Sequence, residues 1–401
     1  MARRENVSRM TSDQFWCSLK AVIIREWRLV TTHSIYLVGM VIAPLVTLFF
    51  MLSLMQYGLP SSLPLAVVDL DNTKTTRSLI RNLDAFDQTD IVMNVSDFTK
   101  AREAMQRGEV YGILLIPGNF TASATSGKQP KITYYTNNNV MMGGSLLFRD
   151  MKVISEMASG AVGLQVGLAK GELKEEIMGK VQPISVKAHI TGNTWLNYSI
   201  YLNSVIIPGV LQLLILQMTV YAIGVEIKKR TSREWLTKAG GSIHVALLGK
   251  LLVHTAIYMA VGLCCLGVIY GIVGFPLNSG WAPMILAMLL LILAAESLGI
   301  LFISLLPILR LGLSLASLFG MLAFSISGFS FPVTAMHGSV RALSNLFPLR
   351  HYFLIYADQA LNGIPLSYSL KSYGALILLM LIPLFNLRNL REELLLVKYI
   401  P

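Results

Sequence analysis

Charged side chains are scarce in this sequence. Only 14% of its 401 residues are charged and 54% are hydrophobic, whereas charged residues make up roughly 25% of typical soluble domains. Acidic residues are fewer than basic ones, with 22 Asp and Glu against 33 Lys and Arg. This composition excludes an ordinary soluble protein. The basic residues cluster beside apolar segments, where they orient a chain in a membrane and contact lipid, so we expect membrane lipids as partners and no nucleic acid.

Cysteines and catalytic motifs are also rare. The three cysteines are Cys17, Cys264 and Cys265, so the long polar segment in between has no disulfide and must fold on its own core. The sequence has no Gly-x-x-x-x-Gly-Lys-Ser/Thr loop for nucleotide phosphates, no Gly-x-Ser-x-Gly elbow and no His-x-x-x-His pair. We therefore expect no catalytic residue, cofactor site or metal site, and any ATP-driven work must come from another chain.

Long apolar segments dominate the rest of the chain. A bilayer core of about 30 Å requires roughly 20 apolar residues, and this length predicts membrane spans at residues 35–55, 199–225, 250–274, 282–306, 311–331 and 371–387. The last segment is short and contains Pro383. The first is expected to be an uncleaved anchor, because a long basic segment precedes it without a convincing cleavage site.

Lys and Arg residues predict the orientation of these spans, since they remain on the cytoplasmic side. They are concentrated in the segments expected to be cytoplasmic, which are residues 1–34, 226–249 and 388–401. Residues 56–198 and 332–370 are then external, the latter as re-entrant or interfacial helices. Both termini would be cytoplasmic.

The polar segment alternates between strand-like and helix-like stretches, which predicts an external α+β domain. The expected strands are residues 65–69, 91–95, 111–116 and 131–136, and the expected helices are residues 74–86, 97–107, 141–171 and 172–180. Asp69-Leu70-Asp71-Asn72-Thr73 resembles the start of a calcium loop, but Lys74 occupies the position of the turn glycine. A strand that ends in a helix cap is the favoured interpretation.

Before the first span, Trp16, Leu19, Ile23 and Trp27 recur at helical spacing. This pattern favours an amphipathic helix in the cytoplasmic membrane interface, with the tryptophans at headgroup depth. The alternative is a simple extension of the first membrane helix.

Three polar residues within the predicted spans are candidate functional residues. Glu296 is a costly carboxylate near the middle of its span, so it indicates a substrate or proton path, or a subunit contact. The alternative is a neutral, hydrogen-bonded packing residue. Gln212 and Gln217 are weaker candidates for the same roles, because buried amides often link helices.

The loop between the second and third spans contains a predicted short helix with Arg233, Glu234, Trp235 and Lys238, ended by two glycines. It is either a charged connector or a docking element in which Trp235 anchors an interface with a partner.

The chain resembles the permease subunits of type-2 ABC exporters, in the bacterial branch with a large external domain between the first two spans. The resemblance covers nearly the whole chain and is carried by five groups of motifs. These are Asp69-Leu70-Asp71-Asn72, Tyr111 to Phe120, Arg233-Glu234-Trp235-Leu236 with Gly249-Lys250, Ser327 to Pro332, and Phe347-Pro348-Leu349 with Leu361-Asn362-Gly363.

The resemblance implies a fold of six transmembrane helices with one inserted α+β domain. Residues Arg233, Glu234, Trp235 and Lys238, together with Arg25 and Glu26, would couple the permease to a separate ATPase. Phe331 and Pro332 would lie at an outer gate. ATP and Mg would bind only to the ATPase subunits, and the other expected partners are a second permease chain and a periplasmic adaptor.

The expected function is therefore that of a bacterial inner-membrane permease exporting an amphipathic, drug-like or lipid-like substrate. Two alternatives stay open. One is an ATP-independent receptor or scaffold that acts through the external domain. The other is a membrane enzyme, which would require a pair such as Glu296 and His254 in one cavity.

Overall fold

The structure is a computed structural model that describes residues 11–126, 128–181, 192–194 and 196–396. These residues divide into two compact units, one within Met1–Gln56 and Ile190–Pro401 and the other within Tyr57–His189. We call the first the helical unit and the second the sheet unit.

The elements are as follows in chain order. The helical unit begins with α1 (Ser12–Thr32) and α2 (Ser34–Leu54). The sheet unit contains β1 (Leu63–Asp69), α3 (Lys74–Asp84), β2 (Thr89–Val95), α4 (Phe98–Gln106), β3 (Gly112–Ile116), α5 (Phe120–Thr125), β4 (Thr133–Thr136), α6 (Met141–Ala169) and α7 (Lys174–Val181). The helical unit resumes with α8 (Tyr198–Lys228), α9 (Ser232–Lys238), α10 (Ile243–Ile272), α11 (Trp281–Leu305), α12 (Leu309–Ile326), α13 (Gly338–Ser344), α14 (Pro348–Ile355), α15 (Leu366–Leu381) and α16 (Leu387–Leu396).

Six helices in the described part of the chain are long and apolar enough to cross a membrane. They are α2, α8, α10, α11, α12 and the continuous stretch Leu366–Leu395. The sixth candidate is longer than the expected segment at residues 371–387, because Pro383 lies in a 3-10 turn, Ile382–Asn386, that joins α15 to α16. A helical path thus continues past the proline. The chain is a mostly helical, multi-pass membrane protein with a small mixed sheet.

The N-terminal helix α1 is separate from α2, because the backbone becomes extended at His33. The side chains of α1 differ in burial. Leu19 and Val22 are buried against the helical unit, whereas Trp16 and Trp27 are exposed. The face that packs is therefore rotated away from the tryptophans, and the interfacial location of α1 stays a prediction.

Helix α8 lies at the centre of the helical unit, where it packs against α11 and α12. Small residues permit this close approach. A Cβ atom at Gly312 of α12 would lie only 2.9 Å from Val220 Cγ1 of α8, closer than packed carbon atoms tolerate. Without a hydrophobic driving force between helices in lipid, such close packing holds the helices together.

The sheet has the strand order β2-β1-β3-β4, in which β1 pairs in parallel with β2 and β3, while β3 and β4 are antiparallel. The central strand β1 is an almost continuous apolar run, as expected for a strand covered on both faces. Leu65 and Val67 pack in the core that includes residues of α3 and α6, and Ala66 and Val68 in the core that includes residues of α4.

The acidic turn after β1 is a helix cap. Asp69 Oδ2 accepts a 2.7 Å hydrogen bond from Thr76 Oγ1 at the start of α3. Asp71 Oδ2 accepts 2.6 Å and 3.1 Å bonds from the hydroxyl and amide of Thr121. Slight burial would raise the pKa of Asp71, but the Thr121 hydrogen bonds outweigh it and lower that pKa. These carboxylates link two helix starts, which supports the capping interpretation over the calcium loop.

Two leucines of the sheet unit provide a stability test. Leu65 is fully buried in the centre of the sheet, whereas Leu70, one residue after the same strand, is 50% exposed. We expect Leu65→Ala to lower the free energy of unfolding of the sheet unit by about 2–5 kcal/mol, and Leu70→Ala to change it by less than about 0.5 kcal/mol. Pulse proteolysis of the full chain in nanodiscs measures both. Equal costs would contradict the described core.

Candidate functional site

Five ionisable side chains from three helices meet inside the helical unit. Arg25 and Glu26 come from α1, Glu226 from the end of α8, and Lys250 and His254 from α10. We call these five residues the charge cluster. Apart from Arg25, which keeps slight exposure, all of them are buried. Long-range contacts between charged residues therefore join segments that are far apart in sequence.

Lys250 lies at the centre of the cluster. Its Nζ is 2.7 Å from Glu26 Oε2 and 3.3 Å from Glu226 Oε1, so one ammonium bridges two carboxylates. Arg25 forms two parallel bonds to Glu226, from Nη1 to Oε1 at 2.7 Å and from Nη2 to Oε2 at 2.9 Å. This bidentate geometry is the strongest form of the Arg–carboxylate pair.

His254 completes the coordination of Glu26. Its Nε2 is 2.9 Å from Glu26 Oε1. Two cations, Arg25 and Lys250, face two carboxylates, so the cluster is neutral when His254 is neutral. A neutral, hydrogen-bonded set is the arrangement in which burial of charges is tolerable.

The charge on Glu26 is stabilised despite its burial. Removal from water favours the protonated acid, but the attraction of Lys250 and the hydrogen bond from His254 outweigh it, and together they lower the pKa of Glu26 to about 2. Glu26 is therefore ionised at neutral pH. Its negative charge is what keeps Lys250 in place.

The short helix α9 is attached to the cluster. Trp235 is fully buried, and Lys250 Nζ lies 4.9 Å from the centre of its ring in a cation–π contact. The Thr231 hydroxyl just before α9 donates to the Glu226 carboxylate. At its other side, Ser232 Oγ donates a 2.7 Å bond to the carbonyl of Leu394 in α16.

Trp235 was expected to face outward and anchor an interface with a partner. This orientation is wrong, because the indole packs inside the chain. The outer face of α9 is instead formed by Arg233, Glu234, Thr237 and Lys238, which are exposed. Glu234 and Lys238 form a surface ion pair of 2.8 Å. If α9 contacts a partner, it does so through these polar side chains. The coupling role itself stays a prediction.

A cavity of about 410 Å³ opens beside the charge cluster. Arg25 and Glu226 line it, together with Tyr36 of α2 and Tyr221 of α8. It lies next to the break between α1 and α2, so movement of α1 would change its shape.

The polar residues expected within the spans occupy different environments. Glu296 Oε2 accepts a 2.6 Å bond from Thr255 Oγ1, while its Oε1 has no partner among the described residues. Gln212 is fully buried and also lacks a hydrogen-bond partner in that part of the chain. Gln217 is half-buried and donates a 3.0 Å bond to Ser317 of α12. A second chain that packs on the surface would not touch Glu296 or Gln212.

The structure does not pair Glu296 with His254, since His254 binds Glu26 and Glu296 binds Thr255. The acid–base pair that a membrane enzyme would require is thus not formed by these residues. Phe331 and Pro332 are exposed in the segment that follows α12, which ends at Ile326. The residues that the structure describes contain no group of three or more His, Cys, Asp or Glu side chains suited to a metal ion.

Of the cluster, only Arg25 and Glu26 are among the coupling residues that the resemblance implies; Glu226, Lys250 and His254 are not. A signal for them did exist. Lys250 and Glu226 are ionisable groups at the borders of long apolar runs, where a lone charge requires a partner. Which partner each finds depends on helix packing, which the one-dimensional pattern does not contain.

The sequence matches the ABC-2 family transporter protein family over residues 35–385, so the chain belongs to this family of membrane transport permeases. It is also similar to the linearmycin resistance permease protein LnrN of Bacillus subtilis (strain 168), with 33% identity over 92 residues. That match covers 23% of this chain and 23% of the relative. The family is one of transporter proteins.

The cluster predicts a dependence of stability on pH. The pKa of Glu26 falls from 4.5 to about 2 on folding, so its stabilisation is fully present above pH 4.5 and is lost as the pH falls toward 2. We expect Glu26→Gln to lower the free energy of unfolding at pH 7 by about 3–5 kcal/mol, because Lys250 loses a buried partner. The variant would then lose less further stability on acidification than the wild type.

Thermal unfolding in nanodiscs between pH 7 and pH 3, followed by tryptophan fluorescence, measures this difference. Glu234→Gln is the control, since that carboxylate is exposed and its removal is expected to cost less than about 1 kcal/mol. Parallel pH profiles of stability for the wild type and Glu26→Gln would contradict the assignment of this pH dependence to Glu26.

Proposed function

We propose that this chain is the membrane permease subunit of an ATP-driven ABC exporter in the bacterial inner membrane. It moves an amphipathic, drug-like or lipid-like substrate outward and is powered by a separate ATPase subunit. A second permease chain, identical or paralogous, completes the path. Both termini are cytoplasmic in this proposal, and the sheet unit is external, between the first two spans.

The observation that carries the proposal is the charge cluster. It joins α1 and α9, which the proposal places on the cytoplasmic side, to the ends of two long apolar helices, α8 and α10. Separation of a buried ion pair costs about 3–5 kcal/mol. A force on α1 or α9 would therefore displace α8 and α10 with them, instead of breaking the contacts.

The outer face of α9 is the proposed contact with the ATPase. Arg233, Glu234 and Lys238 are exposed there, and the buried Trp235 fixes the helix to Lys250 from the inner side. Arg25 and Glu26 transmit the movement and do not touch the partner. In this proposal the exposed face of α9 binds the ATPase, and its buried face connects the helix to the charge cluster.

The substrate class is supported by the relative in Bacillus subtilis, whose name assigns it to resistance to linearmycin. For this chain we propose only the export of an amphipathic, drug-like or lipid-like compound. A transporter of this kind requires a site whose affinity differs between two conformations. Gln217 on the α8–α12 contact and the exposed Phe331 and Pro332 are the proposed path and outer-gate residues. Glu296 and Gln212 would act from inside the bundle.

A charge reversal on α9 tests the partnership. We expect Glu234→Arg to weaken binding of the ATPase about tenfold, because a like charge replaces a complementary one in a docking surface. Glu103→Arg is the matched control, since both glutamates form an i,i+4 ion pair with a basic residue and their side chains are 59% and 57% exposed.

The measurement is co-purification of the tagged chain with the ABC ATPases encoded beside it, followed by ATPase turnover in nanodiscs. Glu234→Arg should reduce both while Glu103→Arg leaves both unchanged. A wild-type chain that purifies without an ATPase would contradict the exporter and favour the receptor or scaffold. Equal effects of the two variants would remove α9 from the contact.

A further inference from the structure

The sheet unit contains a cavity of about 790 Å³ that the proposed function does not use. Its walls come from α5, from the segment at residues 128–134 and from one face of α6. Cavities of roughly 300–1,000 Å³ are typical of small-molecule sites. The volume is therefore sufficient for an organic ligand.

The α6 wall is a single helical face of small or short side chains. Its members recur at spacings of three and four residues and are Ser155, Ala158, Ser159, Val162, Gly163 and Val166. The lack of long side chains along this face leaves the space that the cavity occupies.

The opposite wall is apolar at its base. Phe120 of α5 is buried in the core of the sheet unit, and Ile132 and Tyr134 are half-buried against the same core. Because these three side chains are fixed by packing, they form a rigid surface. An apolar ligand body would gain contact area there without ordering the protein further.

The charged side chains at the rim of the cavity are all basic. Lys128 and Lys131 line the cavity, both are exposed, and no Asp or Glu is among the residues that line it. Within the described residues of the sheet unit, neither lysine forms an ion pair. Two ammonium groups at the edge of an apolar cleft are complementary to an anionic head attached to an apolar body.

We propose that this cavity binds an amphipathic anion. Its carboxylate or phosphate head contacts Lys128 and Lys131, and its hydrocarbon body lies between the small face of α6 and the base formed by Phe120, Ile132 and Tyr134. The ligand is either a free single-chain acid or an anionic bilayer lipid. This inference concerns the sheet unit alone, so it holds or fails independently of the exporter assignment.

Photolabelling of the full chain in nanodiscs of zwitterionic lipid tests the site. Three diazirine probes are compared: palmitic acid, palmityl alcohol and phosphatidylglycerol. Labelled peptides are then mapped by mass spectrometry. We expect an anionic probe to label residues 128–134 and 155–166, and the neutral alcohol to label them much less. The acid and the phospholipid distinguish the two sources of the ligand.

Two cavity variants test where the head and the body of the ligand bind. We expect Lys128→Gln with Lys131→Gln to weaken labelling at these segments about tenfold, since charge-assisted bonds are lost. Ala158→Phe, which fills the cavity, should reduce it similarly. Lys100→Gln with Lys152→Gln removes the same charge from exposed positions outside the cavity and should leave labelling unchanged.

Equal labelling by the alcohol and the anionic probes would overturn the proposal that the ligand is anionic. Labelling confined to the apolar helices, or unaffected by both cavity variants, would overturn the site. Far-ultraviolet circular dichroism of each variant confirms that its fold is retained. Loss of ATPase partnership with intact labelling would contradict the proposed exporter while leaving this inference in place.

Discussion

The helical unit depends on the environment of one ammonium group. Lys250 is 1% exposed, so its charge cannot be stabilised by water. It is compensated by Glu26 and Glu226, which arrive from helices that are far apart in the chain. An uncompensated buried charge would cost several kcal/mol. The lysine therefore requires α1 and the end of α8 to lie beside α10, and Arg25 strengthens the arrangement by fixing Glu226.

This constraint explains why a short polar helix can matter to an apolar bundle. Helix α9 is only seven residues long, but Trp235 covers Lys250 and Thr231 binds Glu226. The position of α9 is thus coupled to the same charged side chains that hold α1. In the proposed exporter, this is the physical route by which closure of an ATPase would reach the long helices. In this proposal the paired side chains move together, so the contacts carry a displacement between the two conformations without breaking.

Much of the architecture follows from the sequence, because long apolar runs and strand–helix alternation are local signals. The strand at residues 65–69 and the helix at residues 97–107 are found within two residues of their expected bounds. The site was less predictable. The outward-facing geometry expected for Trp235 was wrong, because its indole is buried and packs against Lys250, a residue on another helix. Likewise, the helical spacing of Leu19, Val22 and Val30 puts Glu26 on the buried face of α1, but only the packing of α10 against that face identifies Lys250 as its partner.

In the proposed exporter, Glu26 and Lys250 act as one mechanical unit between the ATPase and the membrane helices. A double-mutant cycle with Glu26→Gln, Lys250→Met and the double variant, read out as substrate-stimulated ATPase turnover in nanodiscs, tests this unit. We expect each single variant to retain the ATPase but to lose stimulation, and the double variant to be no worse than either, because both changes remove the same interaction. Independent losses that multiply in the double variant, or full stimulation in the single variants, would contradict it.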